Sequence, residues 1–498
     1  MSFTYNIPFI SLFLALLSAI ASPLFKKKDT ALTVTRWVQL IIAALSALLL
    51  VEVMKTGESF TFMMGHVPAP WGNELKAGPL EALLALAFSL VMVFSMTGGA
   101  DDIRRDIPAE NQGKYCLLMQ LLYASLMAMV YTNDLFTAYV FIEIAAITAC
   151  IAVVAKESGK SVVASIRYLV FSCLGSGMVL LGISILYCIT GHLLMESLHS
   201  VIAAFPAGGA FTPLTASILL MVLGLSIKSA QFPFHAWLPD AHANATTSAS
   251  AILSGLVLKG YIVLLIKLII RVFGEGLISS LHMNDFLFLL GLSGMIFTSI
   301  AAMRQEDVKR MVAYSSSAQI SYIFMALGLG TRGGIAAACF QVLAHAFTKP
   351  MIFVGAGAMI RVGNGGHYWS DLRGAARKNL WAGLAFTIGG LSLCGIPLLA
   401  GFSAKYNLAV AAMGAGWKTM PALMGLAASS LLNAMYYIPA ILVIWGKAGE
   451  TPQPTAKQDT YRSWELYIAI GCFLVFNVIL GTAFEPIFQV IYQGLALL

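Results

Sequence analysis

Lys228, Lys259, Lys349 and Lys405 each lie in or beside a long hydrophobic run, and Lys267 lies near the end of the run that also holds Lys259. Placing a lysine at the middle of a bilayer costs about 2.5–3.5 kcal/mol on insertion scales. Lysines kept against that cost mark ion or proton paths, whereas those near a helix end snorkel to the interface. Lys267 is expected to snorkel, and the other four to line a path. In DLFTAYVFIEIAAITACIAVV, Glu143 is the one carboxylate expected deep in a span. A carboxylate buried alone takes a proton or finds a cation. Pairing favours a charged lysine and burial opposes it, so making and breaking a Glu–Lys pair lets a buried lysine take and release a proton. The alternative is a static structural ion pair.

His345 and Lys349 stand four apart in QVLAHAFTKPMIFVGAGAMI and so share one helix face. A histidine between buried lysines suits a relay, because imidazole titrates near neutrality. Its bland alternative is a hydrogen-bonded packing residue. His235 and His242 sit on a proline-broken turn without an accompanying Cys or Glu, so no metal site is expected. Seven cysteines form no CxxC pair and mostly lie in apolar runs, which reads as small buried hydrophobes. No Walker motif is present, and no GxGxxG precedes a plausible strand. No cofactor and no redox centre are therefore expected in this chain.

The elements that carry these residues are membrane spans. Of 498 residues, 59% are hydrophobic and 11% charged, with mean hydropathy +0.83. Apolar stretches of about 20 residues, the length that crosses a bilayer core, recur along the chain. An all-α integral membrane protein of about fourteen transmembrane helices is predicted. The spans run over about 7–24, 33–54, 79–99, 113–131, 134–155, 162–190, 213–232, 246–272, 284–303, 309–329, 334–360, 381–411, 420–446 and 464–493. The first reads as a retained helix rather than a cleaved signal, because its basic cluster Lys26–Lys27–Lys28 follows it. Twenty basic residues fall in loops after odd-numbered spans and five in loops after even-numbered ones. That asymmetry puts the odd loops, including the one with Lys457, in the cytoplasm and both termini outside. The net charge of +7 is spread over loops, so nucleic acid is not an expected partner.

The seventh span ends in KSAQFPFHAWLPDAH, where Pro233 breaks the helix near Lys228. The twelfth reads LSLCGIPLLAGFSAKY, interrupted by Gly395, Pro397 and Gly401 before Lys405. Two broken helices at corresponding places, each with a lysine, suggest inverted repeats around a water-lined path. The organisation expected is a three-helix segment over 1–100, a first five-helix repeat over 101–272 (spans four to eight), a second, inverted repeat over 273–446 (spans nine to thirteen) and the fourteenth helix over 447–498.

Together these residues resemble the antiporter-like subunits shared by respiratory complex I, membrane-bound hydrogenases and Mrp-type cation/proton antiporters. The likeness runs over about 79–446 and rests on three segments. They are KSAQFPFHAWLPDAHANATTSASAILSGLVLKGY, EDVKRMVAYSSSAQISY with Asp307, Lys309, Tyr314, Ser315 and Ser316, and HAFTKPMIFVGAG. The resemblance implies roles. Glu143 would pair with Lys228, while Lys259, His345 and Lys349 would form the central relay. Lys405 would stand at the exit side, and His235, Pro233, Pro397 and Gln341 would support the path. Members often carry a second histidine where this chain has Gln341, which can hold a water chain but cannot titrate. The end of the chain at 498, with no lateral helix, points to the fourteen-helix class.

The resemblance also implies partners. These are other membrane subunits of a hetero-oligomeric complex, including further antiporter-like and redox subunits, with protons and sodium as candidate cargo. A redox-driven proton-translocating subunit is the first reading. A subunit of an Mrp-type Na+/H+ antiporter without electron transfer is the second. A stand-alone transporter for an organic solute would want a wider polar pocket than this thin row offers.

Overall fold

The computed structural model describes residues 3–25, 29–67, 72–205, 211–363, 365–447 and 463–498. Lys26, Lys27, Lys28, Lys457 and Arg462 lie outside the described residues. Helices α1 (Ile7–Ala21), α2 (Thr30–Thr56) and α3 (Pro79–Gly98) open the chain. Between α2 and α3 lies a hairpin of β1 (Phe60–Met63) and β2 (Glu74–Ala77), paired antiparallel with Phe60 opposite Ala77. A short helix α4 (Ala100–Asp106) leads to α5 (Gln112–Tyr131), α6 (Leu135–Val154), α7 (Gly159–Thr190), a short α8 (Met195–Ala203), α9 (Phe211–Lys228) and α10 (Trp237–Asn244). Next come α11 (Thr247–Ser280), α12 (Met283–Met303), α13 (Val308–Gly328) and α14 (Arg332–Val362). The chain closes with α15 (Leu380–Cys394), α16 (Ala400–Ala412), α17 (Thr419–Trp445), α18 (Trp464–Thr482) and α19 (Phe484–Ala496).

Among the described residues, eleven helices are long and apolar enough to cross a membrane. Helix α13 is 21 residues long but carries Lys309, Arg310 and a run of serines, and α9 and α15 are shorter apolar helices. Helix starts follow capping chemistry. Asp134 accepts from Thr137 N at 2.6 Å, Asp307 from Arg310 N at 3.0 Å and Thr331 from Gly334 N at 3.0 Å. Two helices, α11 and α14, are enclosed along their most apolar stretch, and the others surround them. They pack closely where Gly255 of α11 meets Pro350 of α14. A Cβ at Gly255 would stand 2.4 Å from the proline ring. Pro350 removes one backbone donor inside α14, and α11 contains π-turns at Leu253–Val257 and Leu268–Phe273.

Several expectations are corrected. The seventh span stops at Lys228 instead of 232, and the chain unwinds over 229–233 before a short turn at Phe234–Ala236. The unwound segment is stabilised because its free carbonyls find donors. Trp237 Nε1 donates to Ile227 O at 3.2 Å and Ser317 Oγ to Ala230 O at 2.8 Å. The eighth expected span runs on to Ser280, and the fourteenth is interrupted between α18 and α19. The hairpin, α4 and α8 carry no 20-residue apolar signal and are not foreseen. Cys173 and Cys188 are exposed on the outer faces of α7, whereas Cys116, Cys150 and Cys339 are buried as expected.

Candidate functional site

Lys228, the last residue of α9, has its ammonium enclosed and 3.5 Å from Glu143 Oε1. It also donates to Ser172 Oγ at 3.0 Å and lies over the Tyr261 ring, 5.3 Å from its centre. Glu143 is not enclosed as expected. Its side chain is 28% exposed, on a face of α6 that also shows Phe136, Val140, Ile147 and Ile151. A carboxylate buried more deeply, Glu81, is one that sequence reasoning passed over. It receives Arg271 Nη2 at 2.5 Å.

Lys259 is fully buried and donates to Ser254 O, inside the first π-turn of α11. That turn tilts a carbonyl out of the regular helix ladder and gives the amine an acceptor. Lys349 donates to Val312 O at 2.9 Å and to the Tyr437 hydroxyl at 3.2 Å. His345, one turn before Lys349, is buried, and neither ring nitrogen has a hydrogen-bond partner among the described residues. Lys259 and Lys349 both lie within electrostatic reach of it. Gln341, one turn further back, donates to Gln319 Oε1 at 2.9 Å. In the row of lysines, Lys228 is the one with a carboxylate at ion-pair distance among the described residues.

Lys405 reaches back across the break between α15 and α16. It donates to Leu393 O at 2.7 Å, to Cys394 O at 3.2 Å and to Ser430 Oγ at 2.9 Å. It therefore helps cap the end of the preceding helix, whose last carbonyls have no partner within that helix. Gly395 makes the turn at φ 96°, a left-handed conformation that a side chain would strain. Pro397 is exposed beside it.

Polar side chains lie between the contacts of Lys349 and those of Lys405, and sequence reasoning missed them. The Tyr436 and Tyr437 rings are 4.8 Å apart, and Tyr436 OH donates to Asn433 Oδ1 at 2.5 Å. Asn433 Nδ2 then donates to Leu393 O at 3.0 Å, the carbonyl that Lys405 also binds. Their signal was faint, since tyrosine and asparagine in a span usually read as packing. His242 was weighed in the sequence only as a metal ligand, not as a neighbour of the lysines. It is fully buried and both ring nitrogens lack a partner among the described residues. Its ring stacks on Phe353 at 4.5 Å, and Lys259, Lys309 and Lys349 lie within electrostatic reach.

Two other residues make contacts of their own. His235 is half-buried on the turn after the first break, its ring against Phe232 and Tyr314. Lys267 does not snorkel. It is buried and donates to Val130 O at 2.9 Å and Thr132 O at 2.5 Å, closing the C-terminus of α5.

The enclosed middle of the bundle thus holds amines, imidazoles and hydroxyls, groups that can each take up or release a proton. Among the described residues, no cluster of three His, Cys, Asp or Glu has the form of a metal site. Comparison with known proteins places the architecture. Residues 132–431 match the family described as NADH:quinone oxidoreductase/Mrp antiporter, TM. The NADH-quinone oxidoreductase subunit N of Desulforudis audaxviator is 31% identical over 460 residues, covering 92% of this chain and 89% of the relative. A Na(+)/H(+) antiporter subunit of Alkalihalophilus pseudofirmus is 28% identical over 447 residues, covering 89% and 87%.

Among solved structures, the membrane-bound sulfane sulfur reductase, an archaeal respiratory membrane complex, superposes with a TM-score of 0.85 at 27% identity. The match covers 99% of this chain and 97% of that one. The Mrp complex from Dietzia sp. DQ12-45-1b shares the fold, with a TM-score of 0.86 at 20% identity over 100% and 97%. This multi-pass membrane chain thus belongs to the family of membrane subunits common to NADH:quinone oxidoreductases and Mrp antiporters.

Proposed function

We propose that the chain is the proton-translocating, antiporter-like subunit of a redox-driven membrane complex. Protons move along Glu143, Lys228, Lys259, His345, Lys349 and Lys405, with Gln341 holding part of the path. The observation that carries this reading is a row of enclosed amines held mainly by neutral oxygens, opened at one end by the Glu143–Lys228 contact of 3.5 Å. Burying a cation without a counter-ion is costly. A row of such groups is retained where each in turn takes up and passes on a proton.

The two breaks, after Lys228 and before Lys405, fit a pair of inverted repeats over 101–272 and 273–446, and support the same reading. The likeness to the sulfane sulfur reductase complex over 99% of the chain favours a redox-driven assembly with further membrane subunits. The Na(+)/H(+) antiporter relative keeps a second reading in play, exchange of sodium for protons without electron transfer.

The test uses inverted membrane vesicles holding the intact complex, with proton uptake followed by a pH-sensitive dye. Vesicles energised with NADH or hydrogen are compared with vesicles given a sodium pulse. Glu143→Gln and Lys228→Ala are each expected to remove most proton uptake while the protein remains in the membrane. Normal uptake by Glu143→Gln would make the pair structural. Uptake driven by the sodium pulse alone would select the second reading.

A further inference from the structure

Helix α18 lies beyond the family match, which ends at residue 431, yet it touches both halves of the row's far end. Its buried Asn477 donates from Nδ2 to Thr348 Oγ1 at 2.7 Å. Thr348 is the neighbour of Lys349, and its hydroxyl proton is committed to Ala344 O at 2.7 Å, so it can only accept from Asn477. The other end of the same amide, Oδ1, accepts from Ala400 N at 3.4 Å. Ala400 is the first residue of α16, the half-helix that carries Lys405, and no side chain within the helix caps that start. One amide thus bonds both to the Lys349 turn and to the start of the Lys405 helix.

The surroundings make this bridge specific. Phe476 stacks on Phe347 at 4.8 Å, one residue before Asn477 and Thr348 respectively. Ser403 Oγ donates to Gly481 O at 2.7 Å, and a Cβ on Gly481 would stand 2.2 Å from Leu398 O, so α18 lies directly against the break. At the other end of α18, Glu465 binds Arg104 at 2.6 Å, Arg104 binds Asp101 at 3.2 Å and Asp101 binds Arg361 of α14 at 3.0 Å. Helices α14 and α18 are therefore linked at two levels, by ion pairs near one end and by an amide–hydroxyl bond beside Lys349.

We propose that Asn477 is a positioning residue, and that α18 is a strut keeping the Lys349 turn and the broken helix of Lys405 in register for proton transfer between them. This rests on the transport reading above. Tyr437, Tyr436 and Asn433 line the way from Lys349 to Lys405 only while Lys349 stays near the Tyr437 hydroxyl and Leu393 O stays near Lys405. Asn477 constrains both helices at once.

The experiment is a double-mutant cycle in vesicles holding the intact complex, energised and read as above. Asn477→Leu keeps the volume and removes the bonds, Thr348→Val removes the hydroxyl, and Thr348→Ser restores it. Asn477→Leu and Thr348→Val are each expected to lower proton uptake about tenfold, equivalent to about 1.4 kcal/mol. The double variant should lose no more than either single one, and Thr348→Ser should stay near the parent level. Wild-type uptake by Asn477→Leu, or losses that simply add, would overturn the strut. If Asn477→Leu does not assemble, Thr348→Val against Thr348→Ser decides: equal uptake by the two refutes the bond's role. Lys349→Met separates the two levels. If it still transports, the transport reading fails and the strut with it. If it is inactive while Asn477→Leu is normal, the strut alone fails.

Discussion

The surroundings of Lys349 suit the relay role proposed for it. It is buried, and its two hydrogen-bond partners, Val312 O and the Tyr437 hydroxyl, are neutral. Arginine would keep the charge but cannot be deprotonated in a protein. Lys349→Arg and Lys349→Met are therefore both expected to lose at least about tenfold in proton uptake, about 1.4 kcal/mol or more. A role limited to fixed charge would instead let arginine restore activity. Tyr437→Phe keeps the ring under the amine and removes the hydroxyl that bonds Lys349 and Ser315. It is expected to slow uptake less than Lys349→Met does, and a dye assay at matched expression measures both. The amines were legible in the sequence because a lysine in an apolar run is costly wherever it points. Tyr436, Tyr437, Asn433 and His242 were not. Polar but uncharged side chains cost little to bury once bonded, so only their neighbours in space distinguish a bridge from packing. Glu143 was found, but its exposure was misjudged, because a span's residue pattern does not say which face meets other helices.

At the scale of elements, the site depends on irregular backbone held in place by close packing. Lys259 is aimed at Ser254 O by a π-turn, and the same turn presents Gly255 to Pro350, the residue after Lys349. A side chain there would push the two central helices apart at the level of both lysines. Gly255→Val is expected to destabilise the protein by about 1–3 kcal/mol through overpacking. It should also reduce proton uptake, read as a lower melting temperature in detergent together with slower dye response. Wild-type values for both would show that α11 and α14 have room to separate. Prolines and glycines announced the helix breaks, since their backbone limits act locally. The π-turns of α11 left no such mark, because they arise from what the helix packs against. The end of α9 at Lys228 came five residues before Pro233 for a related reason: Ser317 and Trp237, from elsewhere in the chain, supply donors that stabilise the early unwinding.

At the scale of the whole molecule, orientation decides which sides of the membrane the proposed path connects. The expected orientation, with the odd loops in the cytoplasm, rests on twenty basic residues in or flanking the loops after odd-numbered spans against five in or flanking the alternate ones. Some of those charges have structural roles as well. Arg36 and Arg104 bind Glu465, Lys156 binds Asp106 at 2.9 Å, and Arg310 binds Asp240 at 2.5 Å. Ion pairs at one face and snorkelling cations give the same sequence bias, so the count needs a direct measurement. Lys447 is exposed just after α17, at the edge of the loop that holds Lys457. A single cysteine at Lys447, in a background with Cys173 and Cys188 replaced because both are exposed, should resist a membrane-impermeant maleimide in intact cells and react in inverted vesicles. A cysteine at Glu485, exposed in α19 on the far side of α18, should show the opposite pattern. Labelling of Lys447→Cys from outside intact cells would reverse the topology and, with it, the sides that the proposed path connects.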